Sequence, residues 1–208
     1  ILSATLYDSD GTKVANTVKD VSKEVAGATV SKLLMKVSKP KLWHLDSPYL
    51  YTLECELLTN GKTIDKTKTR VGFRWFDFDS NKGLKMNGNN LKVKGVCLHH
   101  DAGVLGAVVP EDVWRRRLIN LKEMGANAIR MSHNPQAPVV YDLCDELGLL
   151  VMDEASDEWE FPKRKWVEGW NVGKPNYDGS ADFFQKWCER DLRDIVLRDR
   201  NQPSSIMW

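Results

Sequence analysis

Gly95-Val96-Cys97-Leu98-His99-His100-Asp101 is the stretch on which the fold turns. Its first residues read as a buried strand, and its last three are polar. The same grammar then recurs. Val109-Pro110-Glu111-Asp112 opens a helix, because proline suits the first turn and two acids suit the positive end of the helix dipole. Trp114, Leu118, Leu121 and Met124 follow at helical spacing, and Gly125 stops them. Ala126–Met131 is a second strand ending in Ser132-His133-Asn134-Pro135. Pro138 starts a second helix with the apolar stripe Val140, Leu143, Cys144 and Leu147, and Gly148 ends it. Leu149–Met152 is apolar throughout, as a strand covered on both faces requires, and runs into Asp153-Glu154. A third helix is expected from about Ala181 to Arg200, with Phe184, Trp187, Cys188, Leu192, Ile195 and Val196 as its buried stripe. Ser204–Trp208 begins a fourth strand.

This rhythm implies right-handed parallel βαβ units, and two sheets can hold them. One is a small open sheet. The other is a truncated (β/α)8 barrel, which is preferred because the polar clusters all stand at the carboxyl ends of consecutive strands, the rim where barrels do chemistry.

Residues upstream of about 82 read as all-β. Leu2, Ala4 and Leu6 alternate with polar neighbours, as do Val30, Leu33, Met35 and Val37, whereas Val14–Ala26 is polar and poor in apolar residues. Tyr49–Leu57 and Thr63–Thr69 flank Asn60-Gly61, a type I′ hairpin signal. Val71–Phe78 is a further strand with aromatic residues on one face. Short strands at this spacing suggest an immunoglobulin-like β-sandwich. The expected domains are therefore 1–82, the sandwich, and 83–208, the first half of a barrel entered through the Asn87-Gly88 hairpin.

Composition narrows the function. With 30 basic and 29 acidic residues the net charge is +1, which argues against a nucleic-acid partner or a polybasic membrane surface. No apolar run approaches the roughly 18–20 residues of a membrane span, so no membrane partner is expected. The four cysteines, Cys55, Cys97, Cys144 and Cys188, have no metal-binding spacing and are expected to act as small buried hydrophobes.

Four constellations at the rim could carry chemistry. Adjacent residues leaving a strand face opposite sides, so only one of His99 and His100 can face a ligand directly. Arg130 sits in an apolar strand and needs a carboxylate partner, with Asp153 or Glu154 on the next strand as candidates. That ion pair either organises the barrel or contacts a ligand. Asp153-Glu154 resembles the carboxylate pair of a glycosidase, but such carboxylates both face the sugar, and sequence neighbours on a strand do not. Trp159, Phe161, Trp166, Trp170 and Tyr177 in the long 155–180 connection suit either stacking on a sugar or packing of the loop.

Several stretches together resemble glycoside hydrolase family 2, the β-galactosidases, β-glucuronidases and β-mannosidases. They are Asp46–Tyr51, Val71–Arg74, Met86-Asn87-Gly88, Gly95–His99, Asn127–His133, Leu143-Cys144-Asp145 and Val151–Ala155. The resemblance implies a retaining hydrolase whose two catalytic glutamates lie beyond Trp208, so that no catalytic residue is in this chain and the chain alone is inactive. It implies that His99 and His133 line the sugar site, with Asn134, Asp153 and Glu154 as further substrate-binding candidates and Arg130 as the organising residue. Some β-galactosidases of the family hold magnesium at a carboxylate near Glu158, which leaves magnesium open for the parent protein. Glu160 stands here where a helping histidine would be, so no metal or other cofactor is expected. A carbohydrate is the expected partner, and a half-barrel's open sheet edges invite self-association. The other reading is a non-catalytic carbohydrate-binding or scaffold protein built from the same domains. The accepted sugar and the localisation are not legible.

Overall fold

A computed structural model describes residues 1–21, 30–160 and 179–208. The chain packs as two compact units, Ile1–Leu91 and Lys92–Trp208. Among the described residues no helix is long and apolar enough to cross a membrane.

The first unit is built on a four-stranded antiparallel sheet, in the order β2-β1-β5-β6. Its strands are β1 (Leu2–Tyr7), β2 (Lys13–Lys19), β5 (Tyr51–Thr59) and β6 (Lys62–Val71), with the short pair β3 (Trp43–His44) and β4 (Ser47–Pro48) between them in sequence. β2 falls in the polar stretch that the sequence left without a strand. It is an edge strand and most of it is exposed, so it needs no apolar face. The Asn60-Gly61 turn forms as expected: both residues have positive φ, 51° and 74°, and the hairpin pairs Thr59 with Lys62. Residues 30–37 alternate in burial but carry no strand assignment, and Ala28 lies outside the described residues.

β7 (Phe76–Asp79), β8 (Gly83–Met86) and β9 (Asn89–Asn90) form a separate antiparallel sheet that also belongs to this unit. The reason lies in Asn87. Its side chain donates to Trp43 O at 3.0 Å and accepts from Trp75 N at 3.1 Å, and Met86 beside it is fully buried. The 83–91 hairpin is thus tied to Trp43 and Trp75 and packs with the first unit, Ile1–Leu91.

The second unit is a parallel sheet in simple sequence order: β10 (Gly95–His99), β11 (Ala128–Ser132), β12 (Leu150–Met152) and β13 (Ser205–Met207). Helix α1 (Glu111–Glu123) follows β10, α2 (Pro138–Leu147) follows β11, and α3 (Ala181–Asp199) precedes β13. Gly148 closes α2 at φ 71°, ψ 59°, a left-handed conformation that side chains disfavour, and its N–H caps Cys144 O at 3.0 Å.

The core lies between this sheet and helices α1 and α2. Leu98, Ile129, Met131 and Val151 from the strands meet Trp114 and Leu118 of α1 and Val140, Tyr141, Leu143 and Cys144 of α2. Each such aliphatic side chain contributes on the order of 1.5–3 kcal/mol by leaving water. Of the four cysteines only Cys144 is buried; Cys55 and Cys188 are half-buried and Cys97 is exposed. The stripe expected on α3 also differs, since Ile195 and Asp199 are the helix's only buried residues among those described. Phe183, Phe184, Cys188 and Leu192 instead line a cavity at the rim.

Leu143 is 1% exposed in the middle of this core. Leu143→Ala is expected to cost the second unit about 2–5 kcal/mol. Amide exchange in β11 under urea should accelerate accordingly, while the β5–β6 ladder keeps its wild-type protection.

Candidate functional site

The strand alternation fixes the rim. Leu98, Ile129, Met131 and Val151 point into the helix-covered core. The residues between them, Cys97, His99, Arg130 and Met152, therefore occupy the opposite face of the sheet. Parallel register sets Cys97 beside Arg130, His99 beside Ser132 and Arg130 beside Met152.

Glu154 is the hub on that face. Its Oε1 pairs with Arg130 Nη2, and its Oε2 lies 2.8 Å from His133 Nδ1. Arg130 Nη1 also donates to Cys97 Sγ at 3.4 Å. The His133 ring meets His99 edge-on, with centroids 5.3 Å apart. Four of the sequence candidates, His99, Arg130, His133 and Glu154, are thus brought together from three neighbouring strand ends. The carboxylate partner that Arg130 needed is Glu154.

His100 turns the other way and packs edge-on against Trp114 of α1 at 5.3 Å. Asp153 does likewise. It is 2% exposed, and its Oδ1 accepts hydrogen bonds from Tyr141 OH at 2.7 Å and from the Glu154 N–H at 3.1 Å. Burial, resisted by the Tyr141 hydrogen bond and reinforced by nearby Asp199, pushes the Asp153 carboxyl up to about 6. The same burial raises the Tyr141 phenol well above its ordinary range. Arg198 clamps Asp199 through two hydrogen bonds, of 2.8 and 2.7 Å, and lies 5.0 Å over the Tyr141 ring. Asp153 thus sits on the helix side of the sheet and holds the backbone that presents Glu154. Asn134 is exposed and is not among the residues lining the rim cavity.

That cavity holds about 840 Å³ and is lined by Arg130, His133, Asp153, Glu154, Trp159 and Trp208 among others. Trp159 is 71% exposed. Its loop companions Phe161, Trp166, Trp170 and Tyr177 lie outside the described residues. Glu158 is 2% exposed, and its Oε2 accepts from Ala181 N at the start of α3. Glu160 accepts from Gln185 Nε2 at 2.9 Å. Among the described residues no three His, Cys, Asp or Glu side chains converge on one point.

Two members of the site escaped the sequence reading. Cys97 was visible in principle, because it shares a strand face with His99 in register with Arg130. Tyr141 adjoins the apolar stripe of α2 one residue from Val140, and its hydroxyl was the signal that something polar waits beneath that stripe.

The model of the TIM barrel domain of glycosyl hydrolases family 2 matches residues 80–208, and a second family 2 model matches residues 1–74. Among curated proteins the chain is similar to a β-galactosidase, BoGH2A, of Bacteroides ovatus: 44% identity over 205 residues, covering 99% of this chain and 23% of that protein. A putative β-glucuronidase of Formosa agariphila is 40% identical over 187 residues, covering 90% of this chain and 17% of its own length. The chain therefore spans about a quarter or less of these relatives. Among solved structures, a glycosyl hydrolase family 2 member from Bacteroides cellulosilyticus superposes with a TM-score of 0.87 at 36% identity, covering all of this chain and 25% of that one. A Bacteroides uniformis β-glucuronidase gives 0.80 at 33% identity, with 100% and 23% coverage.

The Asp153 arrangement has a consequence for pH. Its carboxyl titrates near 6 when folded and near the ordinary 3.8 when unfolded, so between these values the folded state holds more protons. Its contribution to stability is full below about 3.8 and is lost as pH rises through about 6. Asp153→Asn keeps an acceptor for Tyr141 but cannot ionise. Urea unfolding at pH 4 and pH 7 should show wild type losing about 1–3 kcal/mol more than the variant over that interval.

Proposed function

The chain belongs to glycosyl hydrolase family 2, and from that premise we propose that it carries the sugar-binding rim of a retaining hydrolase of β-galactosides or closely related β-glycosides. The observation that carries the proposal is the Glu154 hub. At the carboxyl ends of adjacent parallel strands, one carboxylate joins Arg130 and His133, with the His99 ring edge-on to the His133 imidazole. Imidazoles and a fixed carboxylate supply directional hydrogen bonds to sugar hydroxyls, and the nearby exposed Trp159 offers an apolar ring for a sugar face. Relatives named β-galactosidase and β-glucuronidase support the substrate class. In this reading the first unit is an immunoglobulin-like sandwich, and the four parallel strands are half of an eight-stranded barrel.

The proposal extends to the division of labour. Double displacement needs two carboxylates about 5–5.5 Å apart, both facing the scissile bond. Asp153 and Glu154 face opposite sides of their strand, and Glu154 is engaged by Arg130 and His133. In this reading Asp153 and Glu154 are not the catalytic pair, and the nucleophile and the acid/base come from residues elsewhere in the full-length protein. The 208-residue chain alone should not turn over 4-nitrophenyl β-D-galactoside or β-D-glucuronide, and its open strand edges favour association in solution. A gene that continues past Trp208 into Gly-Asn-Glu supports the enzyme; steady hydrolysis by the purified chain would refute the division of labour.

A further inference from the structure

The hydrogen-bonding polarity of His133 is set from behind. Its Nδ1 faces Glu154 Oε2 at 2.8 Å. The other carboxylate oxygen is paired with the Arg130 guanidinium, which has only donors to offer, so the carboxylate acts as an acceptor at both ends. Nδ1 must then carry a hydrogen. In a neutral imidazole only one nitrogen does, which leaves Nε2 a bare acceptor. The His133 side chain is 34% exposed and lines the rim cavity, so its free edge is available to a ligand. The edge-on contact with His99 restrains the ring from turning.

We infer that Glu154 is a positioning residue that makes His133 present an acceptor, Nε2, to the cavity, so that the group selected there is a hydroxyl donating its hydrogen. The inference rests on the reading of the rim as a sugar site and deepens it. A carboxylate or ether oxygen at the same point would face a lone pair and be rejected. The opposite tautomer, with hydrogen on Nε2, would favour such oxygens instead. Arg130 contributes by holding Glu154 in place, and Asp153 by fixing the backbone N–H from which Glu154 departs.

The tautomer is directly readable. With histidine labelled in nitrogen-15, long-range proton–nitrogen correlation at about pH 8, above the ordinary histidine range, reports which ring nitrogen is bare. His133→Gln assigns the resonance among the four histidines. In wild type, His133 should show hydrogen on Nδ1 and a bare Nε2. In Glu154→Gln, the amide can turn its NH2 toward Nδ1, and the majority form should become Nε2–H. Hydrogen on Nε2 in wild type overturns the inference without recourse to any variant, and an unchanged tautomer in Glu154→Gln overturns the role of Glu154. Methyl β-D-galactoside separates the two levels. It should shift the His133 Nε2 resonance in wild type, whereas a bare Nε2 with no response to the glycoside refutes the sugar-site reading and leaves the positioning by Glu154 standing.

Discussion

Adjacent residues leaving a β-strand face opposite sides of the sheet, and that constraint sorts two polar clusters of the second unit, His99-His100 and Asp153-Glu154. His99 goes to the open face and His100 to Trp114. Glu154 goes to Arg130 and His133, and Asp153 to Tyr141. Each of these two pairs is split into one residue for the open face and one for the helix side. The buried member then holds the exposed one: Asp153 accepts the Glu154 backbone N–H at 3.1 Å, from the helix side of the sheet. A one-residue shift in any strand would exchange the two roles, which is why the apolar anchors Leu98, Ile129, Met131 and Val151 matter to the site although they never touch it.

The energetics divide along the same line. Stability comes from the apolar contacts between the strands and α1 and α2, where most side chains are wholly removed from water. The Arg130–Glu154 pair is partly solvated, with side chains 42% and 20% exposed, and such pairs add little to stability. Its value is directional. A guanidinium on one oxygen and an imidazole on the other leave the carboxylate one orientation, and two fixed partners are what a preorganised binding site requires.

Much of this was legible in the residues. The order of strands and helices in the second unit follows from hydrophobic period and from Pro110, Gly125, Pro138 and Gly148. The opposition of Asp153 and Glu154 follows from their adjacency alone. What escaped did so for definable reasons. β2 is an exposed edge strand, and without a buried face it has no apolar alternation to read. The side-chain bonds of Asn87, to Trp43 O and from Trp75 N, are long-range polar ties that leave no periodic trace. The apolar residues of α3 have helical spacing whether they meet a core or line a cavity, so spacing could not distinguish the two. The hydrogen bond from the Tyr141 hydroxyl to Asp153 joins residues of different elements, and adjacency in sequence does not disclose it.

The most direct measurement is a crystal structure of the protein with a glycoside-like inhibitor bound. The account predicts a sugar hydroxyl within about 3 Å of His133 Nε2, with Glu154 still bridging Arg130 and His133 and Asp153 still on Tyr141. An inhibitor seated elsewhere, or held by Asp153 with Glu154 swung free of His133, would contradict it.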